Sequence, residues 1–421
     1  MRTGDRGNNE TGDVGNRLNW AMPWISEDPM DQKQRFISLA KSEHFTFTQL
    51  CSEFEISRRT GYKWLNRERT DGASGLEERS SRPRSSPQRT PEAVERLILA
   101  EKRAHLTWGP KKSHRRLMTT HGVEKPPARS TIGEILKRHG LTKKRRCRGG
   151  VFKVNRHEVT KATRPNHVWA VDFKGWFRLG DGSRCDPLTI SDLHSRYLIR
   201  IEALPQATVK WTKRSFRKAF KQYGLPEIIH VDNGTPFGSM GPGGLSKLSV
   251  WLIGLGIEVE FSRPGCPQDN GCHERMHKTM KEECCQPGSV NHRAQQQRFD
   301  RWKKTFNCIR PHESIALRVP EEEYQPSSKR LSEKLKLPLY LPGEITRNVC
   351  GSGAISIGGK ICWVGEAFVG AKVAIEESEP DRWLVRYGNV KLGQIDVASR
   401  DARLRPTAYA ERHEMRACAE T

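Results

Sequence analysis

Three carboxylates in this chain have the types and settings needed to hold divalent metal ions. Asp172 lies within the apolar run 167–173, and Asp232 ends a second apolar run at 227–232. Glu274 follows the polar loop 263–271 and begins a predicted helix. Acids are rare in otherwise apolar strands unless they are paired or bind a metal. The set predicts a metal site; the alternative is that Asp172 and Asp232 cap strands while Glu274 forms a surface salt bridge.

Such a set of acids is suited to phosphodiester chemistry. Mg²⁺ favours hard oxygen ligands and keeps several waters, so a few carboxylates are enough to bind it. Two ions about 4 Å apart activate an attacking oxygen and stabilise the departing oxygen at a phosphate. We therefore expect two Mg²⁺ ions, with Mn²⁺ as a substitute, held by Asp172, Asp232 and Glu274. Asp192 is the best replacement if Asp172 is not a ligand.

The composition points to a polyanionic partner. Lys and Arg number 73 against 49 Asp and Glu, which gives a net charge of +24. Either nucleic acid or an anionic membrane surface would suit this excess. No apolar run approaches the ~18 residues that span a bilayer, and the polar N-terminus lacks a signal-peptide core. The 11 scattered Cys favour reduced thiols, so we expect a cytoplasmic protein without a membrane segment.

The N-terminal part of the chain is predicted to be helical and basic. Residues 1–22 are expected to form a disordered tail, and residues 23–70 a helix-turn-helix unit. Ser57 is the expected N-cap of a recognition helix that carries Arg58, Arg59 and Lys63 as DNA contacts. A three-helix bundle with a solvated basic face is the alternative. Residues 71–89 are expected to be a basic linker.

A second helical DNA-binding unit is predicted over residues 90–150. Pro91 is expected at its first helical position, and Lys111 and Lys112 are candidate DNA contacts. The unit closes with the basic run 143–148. Residues 30–150 contain 28 Lys plus Arg against 13 Asp plus Glu. More than half of the excess charge therefore lies in this part of the chain, which we expect to bind double-stranded DNA.

The remaining sequence predicts a multidomain protein. Residues 160–325 show three antiparallel strands, a helix, a parallel strand and further helices, which is the order of an α/β RNase H-like core. Residues 340–406 contain short strands separated by turns and predict a small β-barrel. Residues 407–421 are expected to be a flexible tail.

Several segments resemble one known family. The runs 169–175, 231–237, 267–275 and 306–313 resemble the catalytic core of insertion-sequence transposases in the retroviral-integrase (DDE) superfamily, and the resemblance extends upstream through 61–65 and 107–112. It implies that Asp172, Asp232 and Glu274 are the catalytic metal ligands of an RNase H-like integrase core. Between Asp232 and Glu274 lie 41 residues, more than is usual in the family, and a loop at 238–244 accounts for the difference. Cys272 stands where related sequences tend to carry a basic residue.

The helix of Glu274 adds candidate DNA contacts. Lys278 and Lys281 are four and seven residues after Glu274 and share its face; a solvated face is the alternative. Arg275 and His277 are further candidates for contact with a phosphate. The Cys and His residues crowded between 266 and 285 raise a zinc site as an alternative, but they form no Cys-x-x-Cys pair.

The resemblance implies a DNA transposase that binds the terminal inverted repeats of its element. It would cleave DNA strands and join them to a target, a DNA integration reaction. We expect a homodimer or higher oligomer on DNA, located in the bacterial cytoplasm and associated with the nucleoid when bound. Two alternatives remain: a catalytically silent helix-turn-helix regulator, and a metal-dependent nuclease without strand transfer.

Overall fold

The computed structural model describes residues 28–79, 89–142, 160–263, 271–332, 340–399 and 402–406. The chain divides into two units, which end and begin at Arg89 and Thr90. Several predictions fall outside the described residues: the disordered tail 1–22, about half of the basic linker (80–88), the basic run 143–148, the loop before Glu274 (264–270) and the tail 407–421.

The first unit is a small helical domain. Its helices are α1 (Pro29–Lys41), α2 (Phe47–Glu53) and α3 (Arg58–Asp71). The Ser57 side chain accepts a hydrogen bond from the backbone N–H of Thr60 at 3.1 Å. The predicted N-cap is therefore confirmed, and α3 continues six residues beyond the predicted run 58–65.

Close packing holds α3 against the other two helices. Gly61 lies on α3, and a Cβ at this position would be 2.9 Å from both Cys51 Sγ and Phe47 Cζ. It would also be 3.0 Å from Phe36 Cζ. Real Cβ atoms do not approach neighbours so closely, so this crossing of helices requires glycine.

The second unit begins with another three helices, α4 (Glu92–Ala104), α5 (Pro110–Thr119) and α6 (Arg129–Arg138). Ile98, Leu117 and Ile132 form the centre of their shared core and are fully buried. Pro91 is the N-cap of α4 and not its first helical residue. The prediction was thus off by one position, while Pro110 does occupy the first turn of α5.

A mixed sheet forms the centre of the next part of the chain. Its strands are β1 (Val168–Phe173), β2 (Phe177–Arg178), β3 (Arg184–Asp192), β4 (Leu198–Leu204), β5 (Ile228–Val231) and β6 (Glu258–Phe261). β3 pairs antiparallel with both β1 and β4, whereas β5 pairs parallel with both β1 and β6. β2 pairs only with the start of β3. This is the RNase H-like order predicted from the sequence.

Five helices accompany the sheet: α7 (Val209–Tyr223), α8 (Lys247–Gly254), α9 (Gly271–Met280), α10 (His292–Cys308) and α11 (Pro320–Glu323). A π-helical turn, Lys281–Cys285, directly follows α9. Trp169, Phe216 and Phe220 lie fully buried in the core that joins β1 to α7. A second core on the same sheet contains Met276 and Met280 of α9 together with Phe299 of α10. The sheet therefore fixes the position of α9.

The C-terminal part is an open sheet, so the prediction of a small barrel was wrong in this respect. Its strands are β7 (Ile345–Asn348), β8 (Ala354–Ile357), β9 (Lys360–Trp363), β10 (Lys372–Glu379), β11 (Arg382–Tyr387), β12 (Val390–Asp396) and β13 (Leu404–Pro406). Five of them pair in the order β13-β12-β11-β10-β7, and β8 pairs with β9 alone. Within the described residues, the short strands β7 and β13 remain the edges, and closure would require them to pair.

The C-terminal sheet packs on the loop that lengthens the spacing between Asp232 and Glu274. Leu245 and Val250 of the RNase H-like part share a hydrophobic core with the C-terminal strands. The Tyr387 hydroxyl donates to the carbonyl of Val250 at 3.3 Å. Gly243, in the loop, has φ of +65° and lies close to the Leu392 side chain. The predicted loop at 238–244 therefore also provides a docking surface.

In the part of the chain that the structure describes, none of the helices has the length and apolar character needed to cross a membrane.

Candidate active site

Asp172 lies near the end of β1, opposite Thr189 of β3 in the antiparallel register. Its side chain is 19% exposed. Burial and then the negative charges of Asp232 and Glu274 raise the pKa of Asp172 to about 7, although the N–H of Phe173 and the Lys174 ammonium oppose the change. Repulsion of this kind is relieved by a cation.

Asp232 and Glu274 approach Asp172 from two other elements. Asp232 directly follows β5, whose parallel pairing with β1 places the carboxyl ends of both strands at one edge of the sheet. Burial of its carboxylate raises the pKa of Asp232, while the N–H of Gly234 lowers it. Glu274 lies in the first turn of α9 and is exposed. The structure thus places Asp172 and Asp232 at one edge of the sheet and Glu274 at the start of α9.

The three carboxylates have the chemistry that suits a hard divalent cation, but they do not converge on a single position. All three groups are carboxylates, the ligands that Mg²⁺ prefers. Among the described residues, no three His, Cys, Asp or Glu side chains lie close enough to form a ready metal-binding group. The charges of both Asp232 and Glu274 nevertheless act on Asp172. The acids are neighbours, and their carboxylates would have to move closer to share an ion.

A buried histidine on α9 lies behind Asp172. His277 Nε2 is 2.7 Å from Thr189 Oγ1, and His277 Nδ1 is 3.7 Å from Asp172 Oδ2. Since Thr189 Oγ1 donates to the carbonyl of Asp172 at 3.1 Å, His277 Nε2 is the donor to Thr189. Burial lowers the pKa of His277 to about 3. The expectation that His277 contacts a phosphate was therefore wrong: it faces inward.

A second histidine extends this polar layer. His273 is buried one turn earlier on α9, and its Nε2 lies 3.3 Å from Ser191 Oγ of β3. Sequence reasoning missed the contacts that both histidines make with β3. The spacing of His273 and His277 at i and i+4, together with polar residues on the strand beside β1, was the available signal.

The two lysines of the Glu274 helix lie on its exposed side. Lys278 and Lys281 are exposed, as Glu274 is, whereas Met276, His277 and Met280 are buried. Lys281 begins the π-helical turn. Their role as DNA contacts stays a prediction. Near the start of α9, Cys272 Sγ lies 2.9 Å from Arg196 Nη1, so a guanidinium lies beside this position.

Asp192 is a capping residue in this structure. It is buried at the end of β3 and accepts hydrogen bonds from the N–H groups of Asn166 and Ser195 and from the Ser195 hydroxyl. Asp186, the other spare acid of this strand, pairs with Arg184 at 2.6 Å. Both acids therefore have structural partners.

In the first unit, the three basic candidates lie on the outer face of α3. Arg58, Arg59 and Lys63 are all exposed. The Lys63 ammonium lies 4.6 Å from the centre of the Trp64 ring. Their contact with DNA stays a prediction.

The candidates on α5 lie against the RNase H-like part. The Lys111 ammonium pairs with Glu313 Oε2 at 2.7 Å. Burial and then the positive charge of Arg310 lower the pKa of Lys112 to about 8. Both lysines thus have protein neighbours that the sequence did not suggest, and their contact with DNA also stays a prediction.

The cysteines give no support to the zinc alternative. Cys185, Cys284 and Cys285 are buried among apolar side chains of the core beneath α9. Within the described ranges no group of metal-ligating side chains is found. Cys266 lies outside those ranges.

Family models match five stretches of the chain. Two integrase core domain models match residues 162–267 and 255–320. A helix-turn-helix domain model matches residues 32–84, and a homeodomain-like model matches residues 60–136. The C-terminal domain model of IS481 family transposases matches residues 344–403. The predicted resemblance is thereby confirmed.

Relatives are found among insertion elements and retroviruses. The uncharacterized 31.7 kDa protein of insertion element IS407 from Burkholderia multivorans is 24% identical over 193 residues, 45% of this chain and 67% of that protein. The Gag-Pol polyprotein of baboon endogenous virus is 28% identical over 133 residues, 32% of this chain and 7% of that protein.

Similar solved structures come from retroviral integrases. The HTLV-2 integrase catalytic core in complex with magnesium has 15% identity and a TM-score of 0.29, covering 39% of this chain and 100% of that one. An integrase chain of the simian T-cell lymphotropic virus intasome, solved in complex with PP2A regulatory subunit B56 gamma, has 15% identity and a TM-score of 0.35, covering 68% and 91%. At these scores, the fold assignment rests on the strand order and the integrase core match.

Proposed function

We propose that this chain, which combines the integrase core and helix-turn-helix domains of insertion-sequence transposases, binds the terminal inverted repeats of its element and catalyses DNA strand cleavage and strand transfer. Asp172, Asp232 and Glu274 are the catalytic residues of this proposal. The observation that carries it is the position of Asp172 and Asp232 at the carboxyl ends of the neighbouring parallel strands β1 and β5, with Glu274 in the first turn of α9. Carboxylates gathered in this way bind divalent cations in phosphoryl-transfer enzymes.

The same three acids would hold the metal. Two Mg²⁺ ions, or Mn²⁺ in their place, supply activation of the attacking oxygen and stabilisation of the departing oxygen at a scissile phosphate. Asp172, supported by Thr189 and His277, is the least exposed of the acids and lies on a central strand of the sheet. Asp232 follows a strand and Glu274 lies in the first turn of a helix.

Basic side chains would hold the DNA. Lys278 and Lys281 extend from the Glu274 helix along its exposed side, where they suit the phosphate backbone near the scissile bond. Arg58, Arg59 and Lys63 are presented together by α3, the last helix of the first unit, in the position of a recognition helix. The catalytic and end-binding roles thus belong to different parts of the chain.

The proposal also covers the oligomeric state of the protein and its place in the cell. Two element ends must be brought together, so we propose a homodimer or higher oligomer on double-stranded DNA. Its place is the bacterial cytoplasm, with association to the nucleoid while DNA is bound. Sedimentation of a complex with two ends tests this: at least two chains per pair are expected, and one chain would contradict it.

The decisive experiment is a strand-transfer assay with a labelled element end and a supercoiled plasmid. Joined product is expected in Mg²⁺ and absent in EDTA. Glu274→Gln is expected to abolish the product while end binding is retained. Glu282→Gln is the matched control, because Glu282 is an exposed acid eight residues further along the same helical segment.

Other outcomes distinguish the alternatives. Binding of the end without nicks or joints in Mg²⁺ or Mn²⁺ would identify a silent DNA-binding regulator. Metal-dependent nicks without joined product would identify a nuclease. Activity that survives Glu274→Gln would remove that residue from the site.

A further inference from the structure

A cluster of positive charge lies where α5 meets the turn after α10. Arg310 follows α10, and its Nη2 makes one long hydrogen bond of 3.4 Å to Thr279 Oγ1. Its Nε and Nη1 are buried and have no hydrogen-bond partner among the described residues. Buried donors are nearly always bonded in folded proteins. Two of the three guanidinium nitrogens therefore have bonding capacity that no described side chain uses.

A second cation points to the same place from α5. Lys111 of α5 pairs with Glu313, three residues after Arg310, so the start of α5 lies beside this turn. Burial and then the charges of Arg310 and Arg275 lower the pKa of Lys112 to about 8, although the charges of Glu283 and Glu313 oppose the change. His312, two residues after Arg310, does not add charge, because burial and then Arg310 and Lys112 lower its pKa to about 3. Burial next to a like charge is costly for an ammonium unless an anion compensates it.

The acids nearest to this pair are already engaged elsewhere. Glu283 accepts a hydrogen bond from Trp302 Nε1 at 2.6 Å and another from the Thr107 hydroxyl. Glu313 is paired with Lys111 at 2.7 Å. Lys112 and Arg310 thus share a region in which the described carboxylates are bonded to other groups.

We propose that Lys112 and Arg310 together bind a phosphate group. A planar guanidinium fork and a compact ammonium suit the several acceptor oxygens of a tetrahedral oxyanion, and its negative charge offsets both cations. Both residues are half-buried, so the Arg310 side chain must turn toward solvent before its buried Nε and Nη1 can bind the anion. Arg310 also bonds Thr279 of α9, the helix that carries Glu274. Arg310 therefore links the bound phosphate to α9.

The phosphate has two possible sources with the same chemistry: a phosphodiester of bound DNA and free inorganic phosphate. Lys112 belongs to the second helical unit and Arg310 to the RNase H-like part, so a DNA phosphate here would join end binding to the catalytic domain. Only the DNA source rests on the proposed function; binding of the anion itself does not.

Thermal unfolding of the full chain tests the anion site. Inorganic phosphate is titrated against chloride at constant ionic strength, and the midpoint is followed. Lys112→Met is expected to weaken the apparent phosphate affinity about tenfold, the value of one charge-assisted contact. Lys137→Met is the matched control: it removes the same charge from an exposed position of the same helical unit and is expected to respond as the unsubstituted protein does. Equal responses of the two variants would overturn the proposal.

Arg310 provides the second test. Arg310→Met is expected to raise the midpoint in chloride, because it replaces a buried cation by an apolar side chain, and to lose the response to phosphate. Arg310→Lys keeps the charge without the fork and is expected to respond partially. A phosphate response that persists undiminished in Arg310→Met would refute the site.

The source is determined with DNA. Duplex ends carrying one neutral methylphosphonate at successive positions are bound to the unsubstituted protein and to Lys112→Met. One position at which the neutral linkage costs affinity only when Lys112 is present identifies the DNA phosphate. If the phosphate titration is positive and no position couples to Lys112, the site binds free phosphate and the DNA assignment is overturned. Strand transfer is not needed for either measurement.

Discussion

Asn307 bonds both backbone groups of Leu198. Its Oδ1 accepts from the N–H of Leu198 at 2.8 Å, and its Nδ2 donates to the carbonyl of Leu198 at 3.0 Å. Leu198 is the first residue of β4, which pairs with β3 on its other side. The amide of Asn307 therefore takes the place of a neighbouring strand and ties α10 to the sheet. This gives the segment 306–313 a structural role beside any role in the reaction.

The first prediction concerns this contact. Asn307→Leu keeps the volume but leaves a buried N–H and a buried carbonyl without partners. We expect a loss of about 3 kcal/mol in the free energy of unfolding, measured by urea denaturation. Gln297→Leu, at an exposed position of the same helix, is the control and should change stability by less than about 0.5 kcal/mol. Equal effects of the two substitutions would show that Asn307 does not anchor β4.

The second prediction concerns the support of Asp172. Thr189→Val removes the hydroxyl that bonds both His277 Nε2 and the carbonyl of Asp172. Changes to residues that orient metal ligands cost about 10–100-fold, and we expect a loss of this size in strand transfer with unchanged binding of the element end. His277→Gln should behave in the same way.

His273→Gln provides the comparison for that prediction. His273 is buried on the same face of α9 but bonds Ser191, not Thr189. We expect a smaller loss of strand transfer than for His277→Gln. If both histidine variants lose activity equally, the effect arises from packing of α9 and not from support of Asp172.

The candidate catalytic acids and the strand order of the core could be predicted from the sequence. Asp172 lies within an apolar run and Asp232 ends another, and strands that pair parallel carry their carboxyl ends to one edge, as β1 and β5 do. These signals are local in sequence. They were enough to predict the RNase H-like strand order and the place of Glu274 at the start of a helix.

Features that depend on contacts between distant residues could not be predicted in this way. The face of α9 that turns inward depends on packing against β3, so the orientation of His277 was missed. Lys111 meets Glu313 across 202 positions of sequence, a pairing that composition does not reveal. Spacing of short strands indicates a β-rich domain but not which edges pair, and the C-terminal sheet remained open where a barrel was expected.

The third prediction concerns pH and stability. Burial raises the pKa of Glu202, but hydrogen bonds from Arg200 and Lys218 outweigh it and hold the pKa at about 2, below the usual 4.5. A depressed carboxyl pKa contributes stability above the unfolded value, and that stability is lost as pH falls from about 4.5 towards 2. Glu202→Gln should therefore cost about 2–3 kcal/mol at pH 7 and much less at pH 2. A pH-independent difference in urea denaturation would contradict this origin.

The fourth prediction compares two glycines within helices. Gly61→Ala places a methyl group 2.9 Å from Cys51 Sγ and Phe47 Cζ, so we expect it to destabilise the first unit by about 1–3 kcal/mol. Gly133→Ala on α6 places its methyl group 3.6 Å from Pro110 Cγ, an ordinary contact, and should stabilise by about 0.5–1 kcal/mol. Thermal unfolding of the two variants should thus shift in opposite directions, and a shift in the same direction would refute the crowding at Gly61.

The fifth prediction uses the repulsion among the three acids. The pKa of Asp172 in the folded chain, about 7, exceeds its usual 3.8. Ionisation of Asp172 therefore lowers the free energy of unfolding as pH rises from about 4 to 7, and the full loss is present above pH 7. At pH 8 in EDTA, Asp172→Asn should therefore be more stable than the unsubstituted protein, by about 2 kcal/mol and at most about 4 kcal/mol, because burial and then the charges of Asp232 and Glu274 disfavour the ionised carboxyl. Asp300→Asn, on the exposed side of α10, should have little effect. Mg²⁺ offsets the same repulsion, so it should raise the unfolding midpoint of the unsubstituted protein and of Asp300→Asn but not that of Asp172→Asn. Destabilisation by Asp172→Asn in EDTA would show that Asp172 has a compensating partner and that the three acids do not form a cation site.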